Sequence, residues 1–263
     1  MRRGQVGWVL GGIAVALACV APQEAPRVHL PIESDPENLE PVTSSEGYEI
    51  TLTEARMVLS NFQFTTAGEL HAKSPFQEGW SLLVPSARAH PGHYQGGEAV
   101  GQLDGRFVVD LLQRVPLGDG EFIASKYEAA NFTFDLVTEE DLSKKDALVG
   151  HTALVRGTAT KDDLTIQFTA LLDAPENRQL VGAPFPFEIT KETDSTVGFQ
   201  FLLVDPFEGD TFFDGVDFES IDEDEDGQVE IDSSAPEGPA QDAYVILRRT
   251  LMTHDHYEFT FEP

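Results

Sequence analysis

Two histidines that lie three residues apart, His90 and His93, are the side chains with the most suggestive spacing for metal chemistry. Pro91 lacks an amide donor and Gly92 gives a helix no support, so the segment is expected to form a turn or a strand edge. On such a segment the two imidazoles can converge on one point. Because imidazole is the commonest protein ligand for zinc and copper, the pattern predicts a transition-metal site.

A second histidine pair, His254 and His256, lies near the end of the chain. Alternate residues of an extended segment point to the same face, as one chelate requires. We therefore predict that this pair meets His90 and His93 in one site, with His71 as an additional ligand. Copper is the first choice of metal and zinc the second. The alternative is that these histidines are solvated or make structural hydrogen bonds.

An acidic stretch near residue 222 resembles the first half of a calcium-binding loop. Asp222, Asp224 and Asp226 occupy its first, third and fifth positions, Gly227 the sixth and Val229 the eighth. Alternate carboxylates can wrap a hard cation while the glycine permits the sharp turn. This spacing predicts a weak, structural calcium site. The alternative is an acidic loop that is merely solvated.

The end of the same loop departs from the calcium-binding pattern. The twelfth position is Ser233, where a bidentate glutamate usually completes the coordination. Asp232 is the neighbouring acid that could replace it. The predicted calcium ligands are Asp222, Asp224, Asp226, Gln228 and Asp232.

Charge and cysteine content restrict the function classes. The formal net charge of −29 leaves too few cationic side chains for phosphate binding, so nucleic acid is excluded as a partner. Cys19 is the only cysteine. The chain therefore has no disulfide framework and no thiolate for a metal within its domain, and any metal must be held by histidine, carboxylate, methionine or backbone oxygen.

The N-terminus has the pattern of a lipoprotein signal. Arg2 and Arg3 precede an apolar region at 6–17, and Ala16-Leu17-Ala18-Cys19 fits a lipobox with small residues flanking the cleavage point. We predict a signal peptide at 1–18, lipidation of Cys19 and a membrane anchor in a bacterial cell envelope, periplasmic or at the outer surface. Residues 19–46, rich in proline and glutamate, are expected to form a disordered tether to a domain at 47–263.

The domain has the alternating pattern of short antiparallel strands. Residues 48–53 and 57–64 predict two strands, 99–112 a hairpin turning at 104–105, and 152–172 a further hairpin. A long loop at 67–89 precedes His90. Thr138 is a candidate N-cap of a short helix, and apolar residues at helical spacing predict a helix after Pro239. The fold class is a mainly β structure, a β-sandwich with a short helix and a C-terminal helix after the acidic loop.

Four segments resemble MbnP-like proteins, which are relatives of a copper-repressible surface polypeptide. They are residues 48–62, 107–112, 126–132 and 155–160, the last followed by Phe168. The resemblance implies a secreted or surface β-protein that binds copper through histidines, with a tryptophan near the metal. Trp80 lies ten residues before His90, although a core tryptophan is the alternative. The resemblance assigns no individual ligand.

No catalytic signature is present in the sequence. There is no Gly-x-Ser-x-Gly elbow, no His-Glu-x-x-His helix and no phosphate-binding glycine loop. We predict a lipid-anchored, non-catalytic protein that binds or handles copper and contains a structural calcium loop. The alternative function is a calcium-stabilised surface module that binds a protein or glycan partner.

Overall fold

The computed structural model describes residues 26–67, 98–139 and 142–262, and they form a mainly β structure. The predicted β-sandwich is confirmed. The strands are β1 Arg27–Ser34, β2 Val42–Thr43, β3 Glu49–Thr65, β4 Ala99–Asp110, β5 Pro116–Ile123, β6 Ser125–Lys126, β7 Ala129–Phe134, β8 Ala153–Lys161, β9 Leu164–Leu172, β10 Gln179–Pro184, β11 Glu188–Ile189, β12 Thr196–Phe201, β13 Gln228–Ile231 and β14 Tyr257–Glu262.

One large sheet contains most of these strands, in the order β13-β9-β8-β3-β4-β5-β1-β12-β14. β7 joins it beside β3 and carries β10, β2 also pairs with β3, and β6 and β11 form a separate two-stranded sheet. β13 and β14 therefore lie at opposite ends of the strand order. Both segments that concern function, the acidic loop and the C-terminal histidine pair, directly precede these two end strands.

The long strands β3 and β4 correct two expectations. The two strands predicted at 48–53 and 57–64 are not separate, because one seventeen-residue strand, β3, runs from Glu49 to Thr65. Residues 104–105 do not turn, because β4 runs through them and remains paired with β3 on both sides. The pairing register shifts between Ser60 and Phe62, and Gly105 has a φ of +128°. The Asp104-Gly105 pair therefore forms a β-bulge within β4, where the sequence predicted a hairpin turn.

The clearest predicted hairpin and the C-terminal helix are present. β8 and β9 pair in register from Ala153 with Leu172 to Lys161 with Leu164. Helix α2, Pro239–Leu251, begins with proline and carries two arginines in its last turn, where the helix dipole favours positive charge. It buries one apolar face against the sheet, formed by Ala243, Tyr244, Leu247 and Leu251.

Two expectations about local structure are wrong. The segment predicted as a tether contains β1, which pairs with both β5 and β12, so the domain begins at least twenty residues before position 47. Leu30 and Ile32 of β1 are buried, which compensates the cost of ordering the strand. Thr138 starts no helix in the described part of 138–150, which forms turns. The short helix is α1, Phe218–Ile221.

Aromatic side chains from several strands of the large sheet pack against one another and form the core. Phe62 packs against Phe132, Phe199 and Phe259, with ring centroids 5.7 to 5.9 Å apart. These rings belong to four different strands and are fully or almost fully buried. Burial of such large apolar surfaces is the main stabilising term of the fold.

No helix of the described residues is long and apolar enough to cross a membrane. The predicted signal peptide and the Cys19 lipidation site lie outside the described residues.

Candidate metal centre

The acidic loop connects α1 to β13 at one end of the sheet. α1 is anchored by Phe218, which contacts the rings of Tyr48 and Phe168. β13 pairs in parallel with β9 and buries Val229 and Ile231 in the core. Both ends of the loop are thus fixed by packing. The carboxylates of the loop therefore lie between α1 and β13, which are held in place by their buried apolar residues.

Asp222 organises the backbone of the loop. Its carboxylate oxygens accept hydrogen bonds from the backbone N–H groups of Asp226 and Gly227, at 3.1 and 3.0 Å. Asp222 is only 8% exposed, whereas Asp224 and Asp226 are exposed. Gly227 has a φ of +76°, a left-handed conformation that a side chain would strain. The glycine is therefore required at the point where the chain turns into β13.

Asp222, Asp224 and Asp226 bring their carboxylates together. One oxygen from each lies within 4.8 Å of the others. Asp222 and Asp226 border an open, acidic cavity of about 710 Å³, which is also lined by Glu219, Glu223 and Glu225. Three converging carboxylates surrounded by further negative charge favour a hard divalent cation that prefers oxygen ligands.

The other two predicted calcium ligands are positioned differently. Gln228 is the first residue of β13, and its backbone N–H donates to the Asp226 carboxylate at 2.8 Å. Asp232 accepts hydrogen bonds from the backbone N–H and the hydroxyl of Ser234, both at 2.7 Å. These bonds to Ser234 lower the pKa of the Asp232 carboxyl. Asp232 therefore caps the turn before α2 and does not join the three converging carboxylates.

The described histidine pair lies on a 3-10 helix, His254–His256, and not on an extended segment. His256 is buried, and its Nδ1 lies 2.8 Å from the carbonyl oxygen of Leu202. The ring also packs beside Phe201 and Phe212. His254 Nε2 lies 3.0 Å from the carboxylate of the adjacent Asp255. Among the described residues, neither histidine belongs to a group of three metal-capable side chains.

The remaining predicted copper ligands, His71, His90 and His93, lie outside the described residues, as does Trp80. The meeting of the pair His90/His93 with the pair His254/His256 therefore stays a prediction. Two histidines that were not proposed as ligands are described. His29 is exposed on β1, and His151 forms a hydrogen-bonded pair with Asp173 at 2.8 Å.

A second group of acids was not singled out from the sequence. Carboxylate oxygens of Asp205, Glu208 and Asp210 lie within 4.8 Å of one another. Asp205 is buried and accepts the backbone N–H groups of Phe207 and Glu208, which fixes a tight turn after β12. The Asp-x-x-Glu-x-Asp spacing was a usable signal, although it matches no common metal loop.

Comparison of the chain with protein-family models, with curated proteins and with solved structures found no match. The resemblance to MbnP-like proteins therefore stays a prediction.

Proposed function

We propose that the protein is a non-catalytic metal-binding domain of the cell envelope, and that Asp222, Asp224 and Asp226 bind Ca²⁺. The convergence of their three carboxylates within 4.8 Å is the observation that carries the proposal. All three supply hard oxygen ligands, and neither sulfur nor imidazole joins them within the described residues. Such a ligand set favours calcium over copper or zinc.

The proposed site is expected to be weak and exchangeable. Ca²⁺ takes six to eight oxygen ligands, and three aspartates supply only part of that number. Ser233 replaces the usual closing glutamate, and Asp232 is engaged by Ser234. Water and backbone oxygens would complete the coordination. Affinities in the range of about 10⁻⁴ to 10⁻³ M, which are typical of extracellular modules, follow from this reduced ligand set.

Calcium at this position would stabilise one end of the sheet. The loop joins α1 to β13, and β13 in turn contacts α2. An ion that offsets the repulsion among three carboxylates would order the loop and so hold β13 against β9. The proposed role of the ion is structural.

Equilibrium dialysis with radioactive calcium tests the proposal. We expect one site in the wild type, its loss in Asp224→Asn, and its retention in Asp194→Asn, an equal change of charge at an exposed turn. Asp210→Asn examines the second acidic group in the same way. Loss of binding in Asp210→Asn together with retention in Asp224→Asn would transfer the site to the other loop and refute the proposal.

Copper binding is a second candidate function. It is favoured by His256, whose Nδ1 contact with a carbonyl oxygen orients the ring and leaves Nε2 as the ligand atom, an arrangement common among metal-bound histidines. Titration with Cu(I) and Cu(II) is expected to give binding tighter than about micromolar. Equal affinity in the His90→Ala/His93→Ala variant would contradict the proposed ligand set.

A further inference from the structure

A cleft at the opposite end of the strand order from the calcium loop has the features of a side-chain pocket. Its volume is about 340 Å³, and it lies between residues 38–42, the segment after β12, and β14. Pro41, Val42, Leu202, Val204 and Pro206 form apolar walls. The volume is at the lower end of the range for ligand pockets, about 300–1,000 Å³, and therefore suits a single long side chain.

A half-buried carboxylate, Glu258, lines the same cleft. Burial, and secondarily the negative charge of Asp35, raises the pKa of the Glu258 carboxyl. No described side chain forms a hydrogen bond or ion pair with it among the contacts of residues 26–67, 98–139 and 142–262. A carboxylate that has left water without gaining a partner is energetically costly, and a bound cation would remove that cost.

The surrounding groups increase the preference for a cation. Arg114, the cation that pairs with Asp35, is also engaged by Glu33 and Glu262, and the three contacts are 2.7 to 3.1 Å long. Glu40 adds a second carboxylate at the lining of the cleft. The whole chain carries a net charge of −29, which attracts basic partners over longer distances.

The apolar walls select a cation that has an apolar stem. Lysine and arginine lay their methylene groups along apolar surface while the charged head reaches polar groups. Val204 is 41% exposed and Phe207, on the adjoining turn, is 51% exposed, so the apolar surface continues outside the cleft. Such a surface can contact the residues that flank an inserted side chain.

We propose that this cleft binds a lysine or arginine side chain presented by a basic segment of a protein partner. The stem packs between Pro41, Val204 and Pro206, and the charged head lies between Glu40 and Glu258. The amide of Asn38 is already oriented, because it donates to Gln200 at 2.9 Å, and Gln200 donates to Asp35 at 2.6 Å. This network fixes the side chain of Asn38 at the cleft, where Glu40 and Glu258 are the lining carboxylates.

NMR titration with three short acetylated peptide amides tests the proposal. The peptides have the form Gly-X-Gly, where X is lysine, arginine or norleucine, which has an apolar stem without the charge. EDTA is present, so the outcome does not depend on the calcium site. We expect saturable shifts of the amide signals of Leu202, Val204 and Glu258 with the basic peptides at concentrations of about 1–10 mM, and none with norleucine.

Three variants make the test specific. Glu258→Gln should weaken binding of the basic peptides by about tenfold or more, because the main charge partner is lost. Glu176→Gln, the same change on an exposed loop, should leave the affinity unchanged. Val204→Lys places a cation at the edge of the cleft and should block binding. Glu258→Gln is expected to remain folded and to melt at a higher temperature near neutral pH, since an ionised carboxylate with a raised pKa opposes folding.

Several results would overturn the proposal. They are equal binding of the norleucine peptide, unchanged affinity in Glu258→Gln, shifts confined to the acidic loop at 222–226, and the absence of saturable shifts with either basic peptide. Binding of free acetyl-lysine as tightly as the peptide would show that the cleft recognises a small amine, and would contradict the role proposed for a protein segment.

Discussion

The Asp224→Asn substitution is predicted to change thermal stability in opposite directions with and without calcium. In EDTA, Asp222, Asp224 and Asp226 repel one another across 4.8 Å or less. With the dielectric constant of water, which suits the exposed Asp224 and Asp226, each pair at that distance contributes about 1 kcal/mol of repulsion, and pairs that include the buried Asp222 contribute no less. The substitution removes two such pairs. We therefore expect the variant without calcium to melt a few degrees above the wild type.

Calcium should reverse this order. At a concentration about 100 times its dissociation constant, an ion that binds only the folded state stabilises it by about 2.7 kcal/mol. For a domain of this size that corresponds to a rise in melting temperature of roughly 5–10 °C. The wild type should show this rise, and the variant, which has lost one of three anionic ligands, should show little of it.

Differential scanning calorimetry in EDTA and in a saturating concentration of Ca²⁺ measures both effects. Asp194→Asn serves as the control for a lost negative charge and should respond to calcium like the wild type. The same melting temperature of the wild type in both buffers would refute the calcium site. A full calcium response in Asp224→Asn would show that the converging carboxylates are not the ligands.

Three further predictions concern stability and the anchor. Arg56 forms two hydrogen bonds with Asp146, at 2.8 and 2.9 Å, which lower the pKa of that carboxyl, so the folded pKa lies below the unfolded one. The stability that this pair contributes is present above the unfolded pKa and is lost as the pH falls through the folded pKa. Asp146→Asn should therefore lower the free energy of unfolding in urea by about 1–3 kcal/mol near pH 7 and by clearly less near pH 3. Phe199→Ala, which removes a buried ring at the centre of the aromatic core, should cost about 3–5 kcal/mol in the same assay, and a cost below about 1 kcal/mol would contradict the packing. Cys19→Ser should move the protein from the membrane fraction to the soluble fraction of cells, and an unchanged distribution would contradict lipid anchoring.

Part of the fold could be predicted because its signals are local. The hairpin of β8 and β9 follows from two alternating segments joined by a short turn, and α2 follows from Pro239 and one apolar face. The continuous course of β4 could not be predicted in this way. Asp104 and Gly105 favour a turn locally, but pairing with β3 on both sides outweighs that preference.

The candidate sites also differ in whether their signals are local in the sequence. The three converging aspartates were predictable because their ligands lie within five residues, and a glycine after them marks the turn. Asp232 lies apart from these three carboxylates and accepts hydrogen bonds from Ser234, a contact that the spacing of the acids does not indicate. The cleft around Glu258 had no sequence signal, since its lining comes from three separate segments.

The sequence by itself determined the periodicity of the strands, the C-terminal helix and the convergence of Asp222, Asp224 and Asp226, all of which depend on neighbours within one turn or one strand pair. Only the tertiary structure decided that residues 27–34 form a strand and that His256 is buried beside Leu202. Burial and pairing across more than fifty residues supply the free energy for both arrangements, and no local pattern encodes a partner at that distance.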